Sequence, residues 1–180
     1  MASAPAAPII LTIGHSTHPL ETFIRLLQAQ GVTLVADVRT VPRSRHNPQF
    51  NRATLPEQLE FAGIGYLHLP GLGGLRHPRP DSPNRGWHNE AFRGFADYMQ
   101  TREFSENLEA LMRLARKERL ALMCAEAVPW RCHRSLIADA LSVRGLPVEH
   151  ILGLRSRQPH RLTAFARVRD TVLIYPEEES

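Results

Sequence analysis

The stretch Leu122-Met-Cys-Ala-Glu-Ala-Val-Pro-Trp-Arg-Cys-His-Arg134 joins a predicted strand to a predicted helix. The apolar run from Leu120 to Met123 predicts a buried strand, and apolar residues at helical spacing predict a helix over 132–143. Both cysteines of the chain lie within this stretch, together with an acid, a tryptophan and three basic side chains. A strand that leads into a helix is the unit from which α/β proteins are built.

The same succession of strand and helix recurs on both sides of this stretch. The predicted strands cover residues 9–13, 32–38, 66–69, 120–123 and 148–152, and the predicted helices cover 20–27, 55–62, 92–101, 104–116 and 132–143. Continuously apolar strands that alternate with helices predict an α/β fold, with an open, mainly parallel five-stranded sheet and helices on both faces, a Rossmann-like three-layer arrangement. Ser16 or Thr17 is expected to cap the first helix, and residues 171–175 to add an edge strand.

The length of 180 residues predicts a single domain. We expect a flexible lead-in at residues 1–8, one α/β domain over 9–175 and an acidic tail at 176–180. Within the domain, residues 77–90 are rich in Pro, Gly, Asn and charge and predict a long inserted loop. That loop is expected to be a lid, a nucleic-acid contact or a solvated insertion.

Location is predicted from what the sequence lacks. No apolar run approaches the ~20 residues that a membrane span needs, and the N-terminus has neither the basic nor the apolar region of a signal peptide. Two cysteines cannot build a disulfide framework, so reduced thiols are expected. These features predict a cytoplasmic protein with no membrane partner.

Positive charge is carried almost entirely by arginine. The net charge is +4, the pI is about 9.7, and Lys117 is the single lysine. Two segments, 39–52 and 155–169, hold several arginines and no acid. A coding bias explains such a composition, and so does planar, bidentate binding of phosphate. The clusters favour a phosphate-bearing ligand, with DNA or RNA among the candidates.

Polar motifs stand at four predicted strand ends, where ligands bind in open parallel sheets. They are Gly14-His-Ser16, Asp37-Val-Arg39, Gly71-Leu-Gly-Gly74 and Cys124-Ala-Glu126. We therefore expect one pocket for an anionic ligand at that edge of the sheet. The candidate catalytic residues are Glu126, Asp37, His15 and Cys132, and the candidate substrate-binding residues are Ser16, Arg39, Arg43, Arg45, Arg76, Trp130, His133 and Arg134.

The two acids admit two interpretations. Asp37 and Glu126 act as general acid and base or activate water, which suits cleavage of a glycosidic or phosphoester bond. Alternatively, each holds an arginine, as Asp37 would hold Arg39 or Arg134. Trp130 is available to stack on a base.

The two cysteines receive different predictions. Cys132 is placed at a helix N-terminus between Arg131 and Arg134, which predicts a lowered thiol pKa and a nucleophile or redox-sensitive thiol; a buried structural residue is the alternative. Cys124 follows a strand, as the nucleophile of rhodaneses and cysteine phosphatases does. Six residues separate it from Arg131, however, and the intervening loop lacks glycine, so we expect a structural strand-end residue.

No metal is predicted, because the adjacent Cys132 and His133 have poor geometry for one ion, and no cofactor is indicated.

Taken in order, the motifs resemble those of one family. They are Thr-Ile-Gly-His-Ser16, Asp-Val-Arg39, Gly-Ile-Gly-Tyr66, Leu-Gly-Gly-Leu-Arg76, Cys-Ala-Glu126, Cys-His-Arg134 and Val148-Glu-His-Ile151. From about Ile9 to Tyr175 the chain resembles the family named domain of unknown function 488. The resemblance implies an α/β fold and marks these residues, and it implies no activity because the family's name records none.

The sequence favours an enzyme, a hydrolase that acts on a nucleotide or nucleic acid bound through arginines at the carboxyl ends of the strands. Two alternatives remain open. One is a non-catalytic protein that binds nucleic acid or nucleotides. The other is a thiol redox or cofactor-binding protein that uses Cys132.

Overall fold

The computed structural model describes residues 7–179, so residues 1–6 of the predicted lead-in and the last residue of the predicted tail lie outside the described residues. Its centre is an open six-stranded sheet in the order β3-β2-β4-β1-β5-β6. The strands are β1 (Ile10–Gly14), β2 (Leu34–Asp37), β3 (Gly65–His68), β4 (Leu120–Cys124), β5 (Val148–Ile151) and β6 (Arg157–Pro159). The helices are α1 (Leu20–Ala29), α2 (Leu55–Phe61), α3 (Glu90–Tyr98), α4 (Arg102–Ala115) and α5 (Arg134–Val143).

Strands β1 to β5 are parallel, which confirms the predicted α/β class and open parallel sheet. The sixth strand was not predicted. β6 pairs antiparallel with β5 at the sheet edge, and its three residues, Arg-Gln-Pro, are all exposed. A strand without an apolar face depends on backbone hydrogen bonds, which leave no hydrophobic pattern in the sequence.

The prediction that residues 171–175 extend the sheet is wrong. β8 (Val172–Ile174) pairs with β7 (Arg167–Arg169) in a separate two-stranded hairpin. Asp170 lies between them at φ 56°, the left-handed conformation that tight hairpin turns use. Leu173 and Tyr175 are buried in the cluster around α3, α4 and α5, so apolar packing fixes this segment beside the helices.

Helices cover both faces of the sheet. Ala121 and Met123 of β4 belong to the apolar cluster formed with α1 and α2, whereas Leu120 and Leu122 belong to the cluster formed with α3, α4 and α5. Successive side chains of a strand point to opposite faces, so a strand covered on both faces must be apolar throughout. This requirement explains why the central strand β4, Leu-Ala-Leu-Met-Cys, is an unbroken apolar run.

β4 lies between β2 and β1, and the three strands end level with one another. Met123 is in register with Asp37, and Cys124 is in register with Gly14. The residues that follow these strands therefore meet at one edge of the sheet.

The inserted loop is attached to the domain by a buried carboxylate. Asp97 of α3 accepts hydrogen bonds from the Arg79 backbone at 2.8 Å, from the Ser82 hydroxyl and from the Asn84 amide at 2.7 Å. Asn84 also accepts the backbone N–H of Tyr175 at 2.9 Å. The loop and the C-terminal hairpin therefore support each other. Within residues 7–179, no helix has both the length and the apolarity needed to cross a membrane.

The turn after β1 is tied to the turn after β4. α1 has Pro19 as its N-cap residue and no side-chain cap, so the expected cap from Ser16 or Thr17 is wrong; Ser16 instead adopts φ 49° within the turn. The backbone N–H of His15 donates to the Cys124 carbonyl at 2.9 Å. The β1 turn is thus held by β4 rather than by its own helix.

Gly14 permits this close approach, because a Cβ atom there would lie 1.9 Å from the carbonyl oxygen of Glu126. We expect Gly14→Ala to lower the free energy of unfolding by about 3 kcal/mol, since the two turns must separate. Urea denaturation measures the loss. Gly65→Ala is the matched strand control, because its new Cβ meets the flexible end of Leu34 at 3.1 Å and the Thr33 carbonyl oxygen at 3.6 Å, an ordinary contact distance. Equal losses in the two variants would contradict this reason for the glycine.

Candidate functional site

A cavity of about 670 Å³ opens at the carboxyl ends of β1, β2 and β4. The predicted site residues that line it are His15, Ser16, Arg39, Arg43, Glu126, Cys132 and His133. Cys124 and Arg131 also line it, although neither was proposed as a site residue from the sequence. Asp37 and Arg134 are not part of the lining, but each is hydrogen-bonded to a lining side chain.

Asp37 and Arg39 form a buried ion pair beneath the cavity. The carboxylate accepts the Arg39 Nε–H at 2.9 Å and its Nη2–H at 2.8 Å. Positions 37 and 39 lie on the same side of an extended chain, which brings the two groups together. The Tyr66 hydroxyl donates to the same carboxylate, and burial together with this bond raises the Tyr66 pKa. Asp37 is thus fully buried with its oxygens occupied, and it orients Arg39.

His15 is held as a neutral ring. Its Nδ1–H donates to the Ser16 carbonyl at 2.8 Å, and its Nε2 accepts from Nη1 of Arg39 at 3.3 Å. The ring stacks on Phe50 with centroids 4.3 Å apart. Burial, helped by the neighbouring Arg39 charge, lowers the pKa of His15 to about 4. With both nitrogens engaged, His15 positions Arg39 at the cavity wall.

His133 is a second neutral ring, with the opposite tautomer. Its Nε2 lies 2.9 Å from the Val38 carbonyl and 3.0 Å from the Leu72 carbonyl, and two acceptors require the proton on that nitrogen. Nδ1 therefore carries the lone pair, 3.5 Å from Sγ of Cys132. Burial lowers the pKa of His133 to about 4. Gly74 leaves room for the ring, since a Cβ there would lie 2.6 Å from Nδ1.

Arg134 is a buried cation without an acidic partner. It is 1 % exposed, and no carboxylate among residues 7–179 forms an ion pair with it. Its Nη1 lies 3.3 Å from Sγ of Cys124, and its Nη2 donates to the Ala127 carbonyl at 3.2 Å. A guanidinium does not lose its proton in a protein, and a buried charge is costly unless it is paired. Of these two contacts, the Cys124 sulfur is the one that can carry the compensating negative charge.

The thiol pKa values agree with this pairing. Burial alone would raise the pKa of Cys124. The interaction with Cys132 and the charge of Arg134 outweigh burial, so the pKa of Cys124 lies below the ordinary cysteine value. The hydrogen bond to Cys124 and burial raise the pKa of Cys132. The predicted low pKa of Cys132 is therefore wrong. α5 begins at Arg134, so Cys132 precedes the helix, and the interaction between the two thiols raises the pKa of Cys132 while it lowers the pKa of Cys124.

A family model described as domain of unknown function DUF488 matches residues 19–141, which is more than half of the chain. The chain belongs to the DUF488 family. The matched range holds Asp37, Arg39, Cys124 and Arg134, while the Gly14-His-Ser16 motif precedes it. No curated protein and no solved structure gave a significant match.

The remaining predicted residues of this DUF488 protein lie away from the main cavity. Trp130 is 64 % exposed and lines a second cavity of about 320 Å³. The guanidinium of Arg76 lies 3.6 Å from the ring centroid of Tyr98, and Arg45 is exposed to solvent. Within residues 7–179, no three His, Cys, Asp or Glu side chains are grouped so as to hold a metal ion.

The buried histidines of this DUF488 protein predict acid sensitivity. Burial lowers the pKa of His15 and of His133 to about 4 and that of His150 to about 3. The unfolded chain takes up protons as the pH falls below the ordinary histidine value of ~6.5 and the folded chain does not, so stability is lost as pH falls. We expect each histidine to contribute a loss on the order of 2 kcal/mol between about pH 7 and pH 5. Urea midpoints across this range measure it.

His150→Gln is the control variant, because glutamine can keep polar contacts to Thr12 and His160 without titrating. The variant should show a shallower fall in stability with pH. If the urea midpoint of the parent does not change over this range, the pKa values of these histidines are not lowered by folding.

Proposed function

We propose that this DUF488 protein is a hydrolase that cleaves a phosphoester of a nucleotide or nucleic acid, with the Cys124 thiolate as nucleophile. One observation carries the proposal: Cys124 lines the cavity, and its sulfur contacts the buried Arg134, which has no carboxylate partner among the described residues. A thiolate held by a cation is reactive at neutral pH, where a free thiol is mostly protonated.

The surrounding side chains suit an anionic substrate. Arg43 and Arg131 are exposed and line the cavity, and Arg39 is fixed there by Asp37 and His15. Arginine binds phosphate oxygens in a planar, bidentate manner, and such contacts stabilise the charge that develops on a transferred phosphoryl group. These arginines therefore support binding of the reacting phosphate next to Cys124.

The reaction has two steps. The Cys124 thiolate attacks phosphorus, so that an S–P bond forms while the P–O bond to the leaving group breaks, and the leaving oxygen takes a proton from the Glu126 carboxyl group. Water then attacks phosphorus and gives its proton to the Glu126 carboxylate. The S–P bond breaks, and the products are inorganic phosphate and the original thiolate. Glu126 is exposed and lines the cavity, as a group that exchanges protons with water must.

Phosphoester cleavage is favoured over glycosidic cleavage by the state of the two acids. Cleavage of a glycosidic bond needs two carboxyl groups that flank the bond. Asp37 cannot be one of them, because it is buried and hydrogen-bonded to Arg39 and Tyr66. Cys132 as an independent redox nucleophile is disfavoured by its raised pKa. The proposed chemistry needs a reduced thiol, and we propose the cytoplasm as its location because both cysteines are free.

Trp130 supports a nucleotide as the source of the phosphate. Trp130 lines the second cavity and the next residue, Arg131, lines the main one, so the two side chains are candidates to bind the base and the phosphate of one nucleotide. We expect Trp130→Ala to raise KM for nucleoside 5′-monophosphates about 10-fold, since stacking on one base contributes ~1–3 kcal/mol. Glycerol phosphate, which has no base, is the control substrate and should be unaffected. An equal change with both substrates would exclude a stacking role.

Release of inorganic phosphate tests the proposal. The purified protein is incubated with nucleoside monophosphates and with 5′-phosphorylated oligonucleotides, and phosphate is assayed over time. Turnover that disappears in Cys124→Ser supports the hydrolase. Salt-sensitive binding of the oligonucleotides without turnover would replace it with a non-catalytic nucleic-acid-binding protein.

A further inference from the structure

Two thiols meet around one buried cation on the wall of the main cavity. Nη1 of Arg134 lies 3.3 Å from Sγ of Cys124, and the backbone nitrogen of Arg134 lies 3.5 Å from Sγ of Cys132. The two thiols shift each other's pKa, which makes their side chains neighbours, and neither is in a disulfide. Both line the cavity, so a small reactant can reach them.

We propose that Cys124 and Cys132 form a reversible oxidation site, in which a hydroperoxide oxidises Cys124 and Cys132 then closes a disulfide with it. The inference rests on the proposed function only where it concerns the loss of hydrolysis. The oxidation chemistry itself depends on the two sulfurs, Arg134 and His133.

In the first step the Cys124 thiolate attacks one oxygen of the hydroperoxide. An S–O bond forms and the O–O bond breaks, and the departing alkoxide or hydroxide takes a proton from water. Sulfur loses two electrons and the peroxide gains them, which leaves Cys124 as a sulfenic acid. Arg134 favours the step because it keeps Cys124 in the thiolate form.

In the second step Cys132 resolves the sulfenic acid. Its thiol gives a proton to Nδ1 of His133, the nitrogen that carries the lone pair, 3.5 Å away. The new thiolate attacks the Cys124 sulfur, the S–S bond forms, and the S–O bond breaks. The departing hydroxide recovers the proton from His133 and leaves as water. An external dithiol reduces the disulfide by exchange, and without the free thiolate the hydrolase has no nucleophile.

Intact-mass spectrometry under non-reducing conditions tests the site after treatment with stoichiometric hydrogen peroxide. The parent is expected to lose about 2 Da, with both thiols disappearing together and returning after dithiothreitol. Cys132→Ser cannot close the bond, so its Cys124 is expected to be trapped by dimedone and then oxidised to the sulfinic acid. Cys124→Ser is expected to keep Cys132 unreacted, because that thiol stays protonated.

Three outcomes would overturn the inference: a sulfenic acid that persists in the parent, a Cys132 that reacts as fast as Cys124, or a parent no more reactive than free cysteine. The readout is a mass, so it does not depend on any substrate. If the protein has no hydrolase activity, the mass spectrum still shows whether the disulfide forms. If hydrolysis is present and no disulfide forms, the oxidation site is refuted and the hydrolase stands.

Discussion

Replacing Cys124 with serine is expected to reduce the release of phosphate from nucleoside monophosphates by about 10³-fold or more. The serine hydroxyl stays protonated beside Arg134, whereas the thiol gives a nucleophile at neutral pH. Initial rates of phosphate release, with folding checked by circular dichroism, measure the effect. Binding of the substrate should persist, because Arg43 and Arg131 are unchanged.

Cys132→Ser is the matched control for this experiment. Cys132 is not the attacking group in the proposed reaction, so its replacement by another small hydrogen-bond donor is expected to cost about 10-fold at most. If Cys124→Ser keeps most of the parent rate, or if Cys132→Ser is the more damaging change, Cys124 is not the nucleophile.

The Cys124–Arg134 pair is also expected to appear as a strong coupling in stability. Cys124→Ala leaves a guanidinium buried without a counter-charge, and we expect a loss of about 3–5 kcal/mol in the free energy of unfolding. Arg134→Met should cost less, about 1–3 kcal/mol, because the remaining thiol can take up a proton and become neutral. The double variant should resemble Arg134→Met alone.

Urea denaturation of the parent, both single variants and the double variant measures this coupling as a double-mutant cycle. Cys132→Ala is the control for removing a buried sulfur that contacts no side-chain cation. Additive losses, with Cys124→Ala no worse than Cys132→Ala, would mean that Cys124 is an ordinary buried thiol.

The sheet could be predicted because its central strands are covered on both faces. Strands β1, β2 and β4 are almost entirely buried and mostly apolar, with Thr12 and Asp37 as their polar residues, and turn residues bound them, so their positions and parallel direction could be predicted from the pattern. β6 could not be predicted, since Arg157-Gln-Pro159 pairs through its backbone and buries no side chain. Residues 172–174 carry a strand-like pattern, but the pattern does not say which partner they pair with.

A cavity lies at the sheet edge where the sequence predicts a pocket, but the contact between Cys124 and Arg134 was not predicted. Asp37 and Arg39 are two residues apart on one strand end, so local geometry brings them together. Arg134 follows Cys124 by ten positions, and a 3₁₀ turn at Pro129–Arg131 lies between them. No spacing rule for a short loop predicts that these two residues are in contact. One signal was present in the sequence: no acid occurs between Glu126 and Asp139, so Arg134 has no local carboxylate.

The ionisation of Cys124 tests the central claim most directly. Thiolate absorbs in the ultraviolet where thiol does not, and the difference between the parent and Cys124→Ser, followed against pH, gives the pKa of this one sulfur. A thiolate held by Arg134 predicts that the difference is already present near neutral pH, below the ordinary cysteine pKa of ~8.5, and that it moves to higher pH in Arg134→Met. A difference that appears only above the ordinary value, and at the same pH in both proteins, would contradict it.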